Sequence, residues 1–176
     1  MTPHRARTWA PRASTPTVRV RGASRGRLSL AALACYKPGH TSRLIYRPRI
    51  QSRLKGARRA FTWKDYRDLL VRAHIQLGGP IVLIWDNLNV HRSAPIRQYA
   101  AAHDWLTIIQ LPSYSPQLNP VEGIWSLLRR SATANVFFGD RDQLEQAIRR
   151  GLRRIQHHPH LIDGCLQGTT LSLTPT

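Results

Sequence analysis

The chain has 176 residues and is 41% hydrophobic, enough for one domain with a real core and too apolar for a disordered polymer. Its net charge is +18 and unevenly spread: residues 1–64 carry sixteen Lys/Arg and no acid, whereas residues 65–176 carry eleven basic residues against nine acids. That pattern, with 24 of the 27 basic residues Arg, suits a polyanionic partner; no stretch approaches the roughly 20 apolar residues of a membrane span, and the first residues lack the apolar core of a secretory signal, so the expected setting is the cytosol.

Residues 1–16, rich in Pro, Arg and Thr, read as an irregular basic arm in which Trp9 could stack on a base or pack over a sheet. Thr17–Arg21 alternates with period two, residues 22–26 turn, and an apolar run follows from Arg27 to Tyr36. After a second turn at Lys37–His40, residues 42–47 run extended again, which makes two or three antiparallel strands. Residues 48–60 read as a basic connector. Thr62-x-x-Asp65 is a capping-box signature ahead of a helix whose stripe is Tyr66, Leu69, Leu70, Ala73 and Leu77, stopped by Gly78-Gly79. Ile81 to Trp85 reads as a buried strand. Ser93 stands where it could cap a helix carrying Ile96, Tyr99 and Ala100, and Leu106–Leu111 is another strand. A helix from Pro120 carries Val121, Ile124, Trp125 and Leu128. A last one, from about Asp140, turns Leu144, Ala147, Ile148, Leu152 and Ile155 inward and Arg149, Arg150, Arg153 and Arg154 outward. Residues 167–176 form a tail.

Antiparallel strands followed by β-α-β alternation predict an α/β fold, a mixed sheet flanked by helices in an RNase H-like order that lacks the usual first strand. Trp63, Trp85, Trp105 and Trp125 flank the elements and are expected in the core. Cys35 and Cys165 match no metal spacing and read as reduced thiols. His157-His158-Pro-His160 reads as a loop after the last helix.

Asp86 follows an apolar strand, at the carboxyl edge where α/β sheets place ligands. It reads either as a metal ligand or as a strand-end cap. Glu122 sits at the third position of a helix with Asn119 as N-cap and Pro120 first, so a capping box would explain it, although capping does not exclude metal binding. Asn87 and His91 share the loop after Asp86; they could orient its carboxylate, contact DNA, or serve as loop hydrogen-bonders. A two-metal phosphoryl-transfer site needs about three carboxylates. Asp104, Asp140, Asp142 and Asp163 are candidates for the third by elimination.

The segments W-D-N-L-N-V-H (85–91), L-P-S-Y-S-P-Q-L-N-P-V-E-G-I-W (111–125) and R-R-G-L-R-R-I-Q-H-H-P-H-L-I-D-G-C-L (149–166) resemble the insertion sequence 630-type transposases of the Tc-mariner group, in the D-D-E superfamily. R-T-W-A-P-R (7–12) is similar to a segment that follows the first catalytic Asp in that family. The resemblance implies a partial catalytic domain over residues 17–166, with Asp86 as the second acid and Glu122 as the third. Asn87, His91 and Asn119 become supporting or DNA-contacting residues. It further implies two Mg²⁺ (or Mn²⁺) ions in a complete site, double-stranded DNA as partner, a bacterial nucleoid setting and a homo-oligomeric working form. The first acid has no counterpart among these residues. The expectation is therefore a transposase fragment inactive alone, completed by an upstream half or an intact transposase. The alternatives are a DNA-binding remnant or interfering partner without catalysis, and a nuclease that recruits another carboxylate.

Overall fold

In the computed structural model, residues 11–14, 28–50, 60–134, 136 and 138–173 are described. The expected strand at 17–21 and the Trp9 segment lie outside them. β1 (Leu28–Cys35) and β2 (Arg43–Ile50) form an antiparallel hairpin in register from Leu28↔Ile50 to Cys35↔Arg43. The pairing carries β2 to Ile50, past the point where a basic connector was expected. Arg47 and Arg49 therefore stand in the strand as alternating residues.

Alternation gives the hairpin two working faces. Ala31 and Ile45 meet Leu69 and Ala73 of α1 (Trp63–Leu77). Leu28, Leu30, Ala32 and Ala34, with Leu44 and Tyr46, meet the helical layer made by α3 (Pro120–Leu128), α4 (Arg141–Gln156) and α5 (Pro159–Gln167). The inward residues expected on α4 are all buried. α5 was not anticipated: Pro159 takes its first position, so what read as a loop is only the joint His157–His158, and His160 is helical.

β3 (Ile81–Trp85) and β4 (Leu106–Gln110) pair in parallel, with α2 (Ala94–Ala101) between them in sequence. Leu83, Trp85 and Leu106 close on Leu70 and Ile96. The opposite face is open, with Val82 at 62%, Ile84 at 47% and Ile109 at 49% exposure, so β3 is buried on one side and not both. Among the described residues the mixed sheet is two ladders, β1-β2 and β3-β4. They are joined through α1, whose Leu69 faces the hairpin and Leu70 the parallel pair, and through Leu33 and Ile81, which pack into both clusters.

Two aromatic expectations differ in outcome. Trp85, Trp105 and Trp125 pack against apolar clusters. Trp63 instead lies under Lys64 and Arg67, at 5.9 and 5.5 Å from its ring. No described helix is long and apolar enough to cross a membrane.

Candidate metal and nucleic-acid site

Asp86 is the first residue after β3, so the ladder fixes its backbone while its side chain projects beyond the strand end. The ladder continues one step further, because Leu111 N–H donates to the Trp85 carbonyl at 2.9 Å. Asn87 then locks the two strand ends together, its amide nitrogen donating to the Leu111 carbonyl at 2.6 Å. Asn87 thus braces the loop and does not touch the Asp86 carboxylate.

Asp86 Oδ1 takes two donors. His91 Nδ1 lies at 2.7 Å and the Leu88 backbone N–H at 3.2 Å. Among the described residues no hydrogen bond engages Oδ2. His91 is buried, stacked on Trp85 and edge-on to Tyr66. Burial pushes the His91 pKa below its ordinary value, and the neighbouring Asp86 carboxylate opposes that only in part. Burial also raises the Tyr66 phenol, helped by the charges of Asp86 and Asp65.

Glu122 stands in the first turn of α3. The Asn119 side chain accepts from Val121 N–H at 3.1 Å and caps the helix as expected. The return half of the expected capping box is not made. Asn119 N–H donates to the Pro116 carbonyl at 3.0 Å, so the Glu122 carboxylate has no backbone partner to reach for. Among the described residues it makes no hydrogen bond or ion pair, and capping does not account for it. Ser93 departs in the same way: it occupies the N-cap position of α2, but its hydroxyl donates to the Val90 carbonyl at 2.7 Å.

A cavity of about 150 Å³ brings Asp86, Asn87, Asn119 and Glu122 to one wall space. An adjoining cavity of about 380 Å³ shares Pro116, Asn119 and Glu122 and runs between α3 and α5 to Arg130. There α3 and α5 approach closely at Gly123, where an added Cβ would lie 2.9 Å from Cys165 Sγ. Burial raises the pKa of both thiols, that of Cys35 to about 11, so neither is a ready nucleophile.

Two carboxylates with uncommitted oxygens are hard donors of the kind that Mg²⁺ or Mn²⁺ prefers. The donor chemistry therefore fits such an ion, but a two-ion site needs more ligands than two. The described residues hold no group of three His, Cys, Asp or Glu placed for a metal. The other acids are occupied elsewhere or stand apart. Asp65 pairs with Arg49 and Arg47, Asp68 with Arg67, and Glu145 with Arg149. Of the four candidates for a third ligand, Asp140 caps α4 through Gln143 N–H and Asp163 bonds Ser42; neither they nor Asp104 and Asp142 line the cavity.

One residue of the cavity was missed in the sequence. Tyr114 is fully exposed and has φ +58°, in the left-handed region that penalises side chains with a Cβ. The signal was present as S-Y-S-P, a turn with an aromatic where Gly or Asn is the ordinary choice.

The model of the DDE superfamily endonuclease family matches residues 1–145. A protein of Sinorhizobium fredii (strain NBRC 101917 / NGR234), named uncharacterized protein y4pE/y4sA, is 34% identical over 67 residues, covering 38% of this chain and 47% of that protein. Two crystal structures, the Mos1 strand transfer complex and the Mos1 mariner paired end complex with Mn, match 97% of this chain at 16% identity with TM-scores of 0.54 and 0.55. The chain covers 52% and 53% of those chains, so it spans about half the length of the relatives it matches. At that identity the likeness establishes the fold, which is RNase H-like.

Proposed function

This chain belongs to the DDE superfamily of endonucleases, and on that footing we propose that it is the catalytic-domain portion of an insertion-sequence transposase that cuts and joins DNA with Mg²⁺ or Mn²⁺. One observation carries the reading: Asp86 and Glu122, with 35 residues between them in sequence, share one cavity, and each keeps a carboxylate oxygen free of hydrogen bonds among the described residues. Asp86 and Glu122 would hold the metal. His91 orients Asp86, Asn87 fixes the loop that carries it, and Asn119 fixes the start of the helix that carries Glu122. A divalent ion bound there would supply activation of the attacking oxygen and charge stabilisation of the leaving one. The open face of the cavity admits a phosphodiester, and the acid-free basic residues 1–64 supply the attraction for duplex DNA.

The third carboxylate comes, in this reading, from another polypeptide segment or an intact transposase within a homo-oligomer. Support comes from the seven other acids, none of which lines the cavity. The purified chain alone is then expected to bind DNA without cutting it. Mixed or joined with a partner that supplies the missing acid, it cuts, and D86A or E122A abolishes cutting while binding persists. Metal-dependent cleavage surviving both substitutions would end the proposal. Net charge of +18 favours a second reading, a DNA-binding remnant that interferes with an intact transposase. Binding with no cleavage under any pairing would select it.

A further inference from the structure

Tyr114 exposes its whole side chain, and among the described residues neither its ring nor its hydroxyl has a partner. Its backbone adopts φ +58°, a conformation that Gly would take without strain. A ring that packs against nothing while its backbone stores strain gives the fold no return. It stands at the rim of the cavity that Asp86 and Glu122 share, and Pro112 and Pro116 on either side stiffen the turn that presents it. The cavity itself is lined by two carboxylates and no basic residue, but the chain as a whole carries a net charge of +18, which favours a polyanion over an apolar protein surface as occupant. From these observations we infer that Tyr114 is a stacking platform for an unpaired nucleobase next to the phosphodiester under attack. It holds the strand so that its phosphate falls between the two carboxylates.

The inference rests on the DNA reading above and adds a base contact to it. Stacking on an aromatic face needs a base out of the duplex stack and tolerates any sequence. Tyr114 therefore positions strand ends or flipped nucleotides without reading their identity.

The test uses the full chain and a labelled duplex with a short single-stranded overhang that carries 2-aminopurine. The wild type and Y114F bind and quench the 2-aminopurine, because both keep the ring. Y114A and Y114G bind at least about fivefold more weakly and do not quench. The slope of log affinity against log salt stays the same in all four, since no phosphate contact is removed. Y114G also relieves the positive φ, so a melting temperature no lower than wild type separates loss of stacking from loss of fold. The inference is overturned by Y114A binding within about twofold of wild type, or by Y114F losing as much as Y114A. A wild-type chain that bound no DNA would overturn the DNA reading itself, and the stacking with it.

Discussion

His91 Nδ1 lies 2.7 Å from Asp86 Oδ1 while its ring lies parallel to that of Trp85, 3° apart in plane and 4.0 Å between centroids. The stack fixes the plane of the imidazole, and the hydrogen bond fixes the carboxylate. Burial keeps the ring neutral, so it carries one N–H. Placing that proton on Nδ1 gives Asp86 a donor. Placing it on Nε2 would aim a lone pair at the carboxylate and bury an N–H that has no partner. The Nδ1–H form is therefore the folded state, and Oδ2 is left without a hydrogen bond among the described residues.

Nitrogen chemical shifts of His91 should show Nδ1 protonated and Nε2 bare near neutral pH. H91F keeps a ring on Trp85 and removes the donor; H91N keeps a donor near the Nδ1 position and removes the ring. Mn²⁺ affinity, read from paramagnetic broadening at Asp86 and Glu122, should fall about 10- to 100-fold in H91F and less in H91N. Equal affinities in wild type and H91F would show that the contact does not serve the carboxylate.

The same histidine sets a pH dependence. Its folded pKa is lowered, so folding favours the neutral form. That contribution is fully present above the ordinary value of 6.5 and is lost as pH falls through the folded value, because the unfolded chain takes the proton first. Urea midpoints should drop between about pH 7.5 and 5.5, and H91F should flatten that drop. An unchanged pH slope in H91F would assign the effect to other groups.

Asp65 makes the opposite kind of prediction. Burial raises its pKa, but hydrogen bonds from Thr62 N–H and hydroxyl, both at 2.9 Å, and the charges of Arg49 and Arg47 lower it further, and the net shift is down. Stability from this group is present above 3.8 and is lost as pH falls through the lower folded value. D65A removes the first-turn partner of the helix cap and strands Arg49, and should cost about 1–3 kcal/mol at neutral pH by chemical denaturation. A cost below about 0.5 kcal/mol would mean the cap and ion pairs are individually dispensable.

Much of this was legible in the chain because local rules and tertiary demand agree at these places. Thr62 and Asp65, the stripe residues Leu69, Leu70 and Ala73 of α1 and the inward residues of α4 follow from capping and a 3.6-residue period, whereas Leu77, expected on that stripe, is exposed. The pairing of Asp86 with Glu122 was legible only through family resemblance, since no periodicity links residues in different elements. What failed did so for physical reasons. Glu122 fits the capping-box pattern, yet the preceding 3-10 turn, Pro116–Leu118, takes the N–H it would have bonded. Val82 and Ile84 read as core because β-branched residues crowd buried strands, but burial depends on what covers the second face, which a strand's own residues do not encode. α5 hid behind a histidine cluster, because a nine-residue helix begun by Pro shows little periodic signal.

Gly151 marks where α4 meets the π-turn Arg129–Thr133. A Cβ there would lie 2.6 Å from Leu128 Cδ1 and 2.9 Å from Ala132 Cβ. Ala gains up to about 1 kcal/mol in helix propensity over Gly, and overpacking of this kind costs about 1–3 kcal/mol. G151A should therefore lower stability by thermal denaturation, and G164A on α5, where a Cβ meets nothing within 4 Å, should not. A stabilised G151A would mean that α4 can slide to accept the methyl group.

The outer face of α4 tests the polyanion reading away from the cavity. Arg150, Arg153 and Arg154 are exposed and make no ion pair among the described residues, whereas Arg149 is held by Glu145 at 2.6 Å. If phosphates lie along this face, each free guanidinium displaces about one counterion's worth of salt dependence. Replacing all three with Ala should lower the magnitude of the log–log salt slope by about 2 to 3. R149A alone should lower it less, because Glu145 already neutralises that charge. Titrating duplex binding at four salt concentrations reads both. An unchanged slope in the triple variant would free this face from DNA and leave the binding to residues 1–64, where sixteen basic residues stand without a single acid.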